Sequence, residues 1–525
     1  MTKFSFCVII IHNNGSISAV LNFHFGGIFM KKLSTKIISV ILCLCMVFGC
    51  SAIATSAEET TDTVTRVSVS FNGDSQTSRG FCWYTETYTR SDVQIVKTAE
   101  FNGSFANAET YSAGNVYEFR DLYCHKVTVS NLEPGTAYTY RVGDKSLELW
   151  SENGTFRTDD GDSKFSFISI ADVQASSDEN FAQSAKTLKG ALATLPNSEF
   201  VVNLGDFVND DTNDEWNWYF KNFAFANMNT TIAPVAGNHD GNITNKLNIN
   251  VFNSMFNLSN PNTESNTNWV NGVYYSFDYG NAHFAVLNTN DMYPMTQSQR
   301  NWLVNDMSKS DADWKFVLMH RAAYSEGKNI NKPDTIIMRD VLLPLFDELD
   351  IDMVYAGHDH VYYRSLQVKG DQPVADVTYV TENFNGEQTT FALNPEGTVH
   401  IVPATAGTKR YTVHDAIDPI PDCCAFRLST RDLGGCFMTT EIDGGKLVIK
   451  SYLVDDETQE ITLIDQYAIK KDVGQNKPAE DYEDLPTDNV SNIGNYVKNL
   501  VSAIVNMLAK YLFVLVPQLI KNAIK

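Results

Sequence analysis

Five short apolar runs in the middle of this chain each lead into a side chain that can hold a metal ion. Phe165–Ile170 runs into Ala171-Asp172, and Phe200–Leu204 runs into Gly205-Asp206. Ala233–Ala236 runs into Gly237-Asn238-His239-Asp240, Lys315–Met319 ends at His320, and Asp352–Ala356 runs into Gly357-His358-Asp359-His360. Short apolar runs of this kind read as buried strands. Between them lie segments with helical spacing of apolar residues: Asn180–Leu195, Gln297–Met307 and Thr335–Leu349. Strand alternating with helix predicts an α/β layered domain. In open α/β sheets ligands gather at the carboxyl ends of the strands, so the five motifs are expected to converge on one spot. Glycines 205, 237 and 357 permit the tight strand-to-loop turn that such convergence needs.

Carboxylate, amide oxygen and imidazole together suit iron, manganese or zinc better than calcium. Two such cations ~3.5–4 Å apart need one carboxylate to bridge them. Each motif alone is commonplace: a Gly-Asp is usually a turn, a Gly-Asn-His a loop, a single histidine on a strand a core residue. Five in order, each at a strand end, point to one metal site.

Residues 62–158 have a different rhythm. VTRVSVSF, RGFCWYT, DVQIVKTA, HKVTVSNL, TAYTYRVG and GTFRT are short β-rich runs separated by turns such as Asn72-Gly73-Asp74 and Glu133-Pro134-Gly135. Their spacing predicts an all-β sandwich. Asp159-Asp160-Gly161-Asp162 reads as a linker into a second domain over 163–472, which closes with further strands.

With these residues in view, the chain resembles the purple acid phosphatase-like branch of the calcineurin-like metallophosphoesterases, from Val64 to Lys471. Outside the ligand motifs the resemblance rests on Leu132-Glu133-Pro134-Gly135-Thr136-Ala137-Tyr138, which is similar to that family's fibronectin type III-like N-terminal domain. It also rests on Tyr274–Gly280, Gln299–Leu303 and Leu343–Ser365. The resemblance implies two mixed sheets packed face to face and flanked by helices. It further implies that Asp172, Asp206 and His360 hold a first metal ion, that Asp206 bridges, and that Asn238, His320 and His358 hold a second. His239 would protonate the leaving alkoxide while metal-activated hydroxide attacks the phosphorus. Phosphate monoesters are then the expected substrates, with diesters or nucleotides as the alternative.

Three positions depart from the family pattern. Asn209 stands where purple enzymes carry the metal-binding tyrosine. Gln174 stands where many relatives carry a histidine after the first aspartate. Arg321-Ala322-Ala323-Tyr324 replaces further histidines after His320. Gln174, Asn209 or water is left to complete the first metal's shell, and Arg321 is a candidate phosphate ligand by its planar fork.

The ends carry other signals. Lys31, Lys32 and Lys36, the apolar run Ile37–Phe48 and the small residues Ser51–Ala57 read in that order as a secretory signal over 30–57. Residues 1–29 do not fit ahead of it, so Met30 is the expected true start. Val47-Phe48-Gly49-Cys50 also resembles a bacterial lipoprotein site that would acylate Cys50. The expected location is secreted or cell-surface. Residues 473–490 read as an acidic linker. Residues 491–525 put an apolar stripe on an amphipathic helix whose charged side chains are all lysine, which suits an anionic membrane surface or self-packing. Among cysteines after the signal, Cys82 with Cys124 is a plausible bridge, as is Cys436 with Cys423 or Cys424; buried free thiols are the alternative.

The formal net charge of -23 argues against a nucleic-acid partner, since such a surface repels phosphates on average. It leaves a phosphorylated small molecule open, because bound divalent metals reverse the potential locally. A cell-surface binding protein with a merely structural metal site is the reading from another class. His239 argues against it, since a structural site needs no histidine beside its ligands.

Overall fold

A computed structural model describes residues 4–11, 17–25, 62–112, 114–241, 250–259, 273–290, 295–414, 423–476 and 485. The chain forms two compact units, Met1–Thr61 and Asp62–Lys525. The first contains an antiparallel hairpin of Phe4–Ile11 with Ile17–Phe25. The expected signal segment 30–57 and the C-terminal helix 491–525 lie outside the described residues. No helix among the described residues is long and apolar enough to cross a membrane.

In the second unit, two mixed sheets pack face to face. The site strands of the first are β1 (Lys164–Ile170), β2 (Phe200–Asn203) and β3 (Thr231–Pro234), all parallel. Strand β1 also pairs antiparallel with Gly434–Asp443, which opens a run of hairpin strands toward one edge. The second sheet centres on β4 (Trp314–Arg321) and β5 (Met353–Gly357), parallel to each other and flanked by Ala282–Val286 and Val399–Pro403. Aromatic side chains fill the space between the sheets. Phe167 stacks on Phe200 at 4.9 Å between centroids, Phe284 on Phe316 at 4.7 Å, and Phe167 meets Phe284 edge-on at 5.5 Å. All four are fully buried, and truncating one to alanine would cost about 3–5 kcal/mol.

Helix α1 (Asp178–Thr194) packs on the outer face of the first sheet through Phe181, Ala185, Leu188 and Ala191. Its N-terminus is capped by Ser177, whose side chain accepts from Asn180 N. Helix α2 (Asn213–Asn222), which the sequence pattern did not single out, starts on a capping box of Thr212 and Glu215. Helices Gln297–Lys309 and Pro333–Glu348 cover the outer face of the second sheet with Leu303, Met307, Met338, Leu342 and Phe346.

The N-terminal strands form the expected sandwich. Thr65–Ser70, Arg79–Thr85, Leu122–Val129 and Asn115–Phe119 face a second sheet built around Asp92–Lys97 and Ala137–Asp144. Val69, Phe81, Trp83, Val93, Tyr140, Val142 and Phe156 are buried between them. The first of these sheets is not separate. Ser70 pairs with Ile232 on β3, so it continues the central sheet into one of 12 strands. Fully buried Arg79 ties the junction, donating to Thr231 Oγ1 at 2.9 Å and to the Arg157 carbonyl at 2.8 Å.

In the segment 159–162 residues 160–162 are exposed, and Asp159 is anchored. The Asp159 carboxylate is buried and accepts from Ser75 Oγ and Gly280 N, each at 3.0 Å. The described part of the acidic stretch also docks: Leu485 and Asn305 exchange two hydrogen bonds of 2.8 Å. Cys82 and Cys124 are free thiols with sulfurs 3.8 Å apart, and both donate to the Ser254 carbonyl. Cys436 forms no disulfide with Cys423 or Cys424.

Candidate metal centre

The five motifs meet at the carboxyl ends of β1 to β5. The turns off β1, β2 and β5 are tight enough to force left-handed backbone: φ is +53° at Asp172, +54° at Asp206, +76° at His358 and +51° at His360. Each such non-glycine residue stores about 1–3 kcal/mol, and it persists only where its surroundings hold it. Main-chain bonds supply that hold. Asp172 N donates to Gly205 O at 3.0 Å, Gln174 N to Asp206 O at 2.8 Å, and His358 N to the Asp172 carboxylate at 2.9 and 3.0 Å. Thr405, on the loop after Val399–Pro403, donates its hydroxyl to the Asp172 carbonyl at 2.6 Å.

Two donor groups share one carboxylate. Ligand atoms of Asp206, His320 and His358 lie within 4.8 Å of one another, and so do those of Asp172, Asp206 and His360. Asp206 Oδ1 is 3.2 Å from His320 Nε2, and Asp172 Oδ1 is 3.3 Å from His360 Nε2. Asn238 Oδ1 lies 3.1 Å from His320 Nε2, so it joins the first group. The structure thus brings Asp172, Asp206, Asn238, His320, His358 and His360 together.

The far sides of the rings determine which nitrogens are free. His320 Nδ1 donates to the Leu204 carbonyl at 2.8 Å, and His360 Nδ1 donates to the Lys409 carbonyl. The Nε2 atoms are therefore the ones that face the carboxylates. Burial, with the nearby Arg321 and His320, pushes His358 well below the usual imidazole range and keeps it neutral. Burial alone would raise the Asp206 carboxyl, but the charge of His320 holds it well below the usual carboxylate range. Burial would lower His320, and Asp206 overcomes it, raising the ring to about 9.

The remaining expected residues sit around this core. His239 is only partly buried, and its Nδ1 donates to the Asn209 carbonyl at 2.5 Å. Its main-chain N–H donates to Asp206 Oδ1 at 2.8 Å. Asn209 thus orients His239 through its backbone; its side-chain amide donates to Asp210 and accepts from Lys409. Gln174 is buried beside Asp206, and its Oε1 has no hydrogen-bond partner among the described residues. An orphaned buried amide oxygen fits a site that expects a further ligand. Arg321 Nη1 donates to His358 Nε2 at 3.3 Å, which places the guanidinium at the edge of the centre.

Two contributors escaped the reading of the motifs. Asp240 is fully buried, and its carboxylate accepts from Asp206 N at 3.0 Å, Gly237 N at 2.7 Å and Phe207 N at 2.7 Å. Its place directly after Asn238-His239 was the available signal. Tyr411 stacks on His360 at 4.6 Å between centroids and comes from a loop with no periodic signal at all.

The model for the calcineurin-like phosphoesterase matches residues 165–362, and that for the purple acid phosphatase N-terminal domain matches 64–158. An uncharacterized protein of Mycobacterium tuberculosis is 26% identical over 471 residues, covering 77% of this chain and 86% of the relative. Acid phosphatase type 7 of Homo sapiens is 24% identical over 369 residues, covering 65% and 77%. Among solved structures, a purple acid phosphatase from yellow lupin seeds superposes with a TM-score of 0.63 at 15% identity, covering 78% of this chain and 75% of that one. A PhoD structure superposes at 0.57 with 12% identity, covering 84% and 98%. At those identities the structural likeness concerns the fold.

Proposed function

The chain belongs to the calcineurin-like phosphoesterases, in the branch with a purple acid phosphatase N-terminal domain, and from there we propose that it hydrolyses phosphate monoesters at a dinuclear metal centre. The observation that carries this reading is the shared Asp206, which belongs to both donor groups. Asp172, Asp206 and His360 would hold one ion; Asp206, Asn238, His320 and His358 would hold the other. Iron, zinc or manganese suits the set. Bound there, the ions supply charge neutralisation for the phosphoryl oxygens and an acidified water.

The protein's own groups do the rest. His239 receives its orientation from the Asn209 carbonyl, and its Nε2 is the atom that gives a proton to the departing alkoxide oxygen. Arg321, whose Nη1 stands 3.3 Å from His358 Nε2 at the edge of the centre, would hold the phosphate by its planar fork. The partial exposure of His239 leaves room for a leaving group on its side.

Export through residues 30–57 and peripheral membrane attachment through 491–525 are part of the same proposal. They rest on the sequence pattern alone. Hydrolysis of a panel of mono- and diesters by the purified chain, before and after chelation, tests the catalytic reading. Chelator-sensitive turnover of monoesters above diesters is the expected result; turnover indifferent to chelation would refute it.

A further inference from the structure

On a chain of formal net charge -23, two ammonium groups are held beside the metal centre without a carboxylate partner among the described residues. Lys409 is fixed at the site by its own backbone, because its carbonyl takes the His360 Nδ1 proton. Its Nζ lies 3.4 Å from Asn209 Oδ1, on the residue whose carbonyl orients His239. The charge therefore hangs between the His360 loop and the loop after β2. Two residues on, Tyr411 stacks on His360, and exposed Lys328 places its Nζ over that ring at 3.9 Å. The adjacent arginines are spent differently: Arg410 pairs with Asp456 and Arg427 with Glu326.

The scissile phosphoryl does not need these two lysines. Its charge would be matched by ions bound at the proposed centre and by Arg321, which stands against His358 at the other donor group. Two further cations on the His360 side match charge that lies beyond the reacting group. Lysine is a compact point charge on a flexible stem, suited to a phosphate whose position varies rather than to one held in a planar fork.

Resting on the phosphoesterase reading above, we propose that Lys409 and Lys328 form a subsite for a second phosphate group, so that the preferred substrates are small molecules phosphorylated at more than one position. The second phosphate is bound and not cleaved in that pose. It raises the ground-state and transition-state affinity together, so the effect falls on KM more than on kcat.

The test compares an alkanediol bisphosphate with the matching alkyl monophosphate on the full-length, metal-loaded chain. The expected preference for the bisphosphate in kcat/KM, corrected for its two equivalent ends, is roughly tenfold, since each solvent-exposed ion pair contributes only a few-fold. It should sit in KM and shrink as ionic strength rises. The double variant Lys409→Gln with Lys328→Gln should bring the ratio of the two substrates close to one, and Lys328→Gln alone, which is remote from His239, should lower it partway. Equal efficiency of the wild type on both esters, or an unchanged ratio in the double variant, would overturn the subsite while leaving the phosphoesterase reading intact. Failure of the wild type to cleave either ester would overturn that reading and the subsite with it.

Discussion

The Asp240 carboxylate accepts the backbone N–H of Asp206 at 3.0 Å, in a position where neither group meets water. The same carboxylate takes Gly237 N and Phe207 N, so one side chain joins the loop after β2 to the loop after β3. These loops carry Asp206, Asn238 and His239. A buried acceptor with three partners is costly to remove, because each orphaned donor loses about 1–3 kcal/mol.

Asp240→Ala should therefore destabilise the protein by about 3 kcal/mol or more and lower metal content, though residue 240 touches no metal in this account. Chemical denaturation and metal analysis on the same sample check this. Full stability in the variant would show that the three N–H groups find other acceptors.

His239→Ala should reduce turnover of alkyl phosphates by about 10²–10⁴-fold while bound metal stays constant. The loss should shrink on aryl phosphates whose leaving groups need no proton. An equal loss on both classes would remove His239 from the acid role.

Asn209 stands where a metal-bound tyrosinate gives the purple enzymes their colour, and its side chain is turned to Asp210 and Lys409. The iron-loaded protein should lack the strong visible charge-transfer band. A purple preparation would mean that another tyrosine reaches the metal, with Tyr411, stacked on His360, the first to substitute.

His283 lies buried between Asp278 at 2.7 Å and Asp306 at 2.9 Å. Burial alone would lower its imidazole, but the two carboxylates overcome this and raise it to about 9. A pKa raised in the folded state stabilises most below the unfolded value near 6.5, and that stability is lost as pH climbs through about 9. His283→Gln should therefore cost about 1–3 kcal/mol at pH 6, discounted for the exposed Asp278, and little above pH 9. Thermal melts across this range give the answer, and a pH-independent penalty would contradict the charged pair.

What the sequence made legible was whatever is local. A strand followed at once by a ligand can be read from a few residues, so Asp172, Asp206, His320 and the His358–His360 pair stood out. Helices Gln297–Lys309 and Pro333–Glu348 were visible for the same reason. Long-range contacts were not. The continuity of the sandwich with the central sheet depends on one pairing, Ser70 with Ile232, far apart in the chain. Asp159 looked like linker because its composition is polar, yet it is buried once Ser75 and Gly280 supply donors. Lys409 and Tyr411 reach the centre from a loop with no pattern of its own.

The proposed activity requires two ions that share Asp206. Titrating metal into the chelated apoprotein, with bound metal and monoester turnover read from each sample, tests it most directly. Turnover should be negligible through the first equivalent, rise to full activity with the second, and not rise at any loading in Asp206→Asn. Full turnover in the metal-free protein, or saturation at one equivalent, would contradict it.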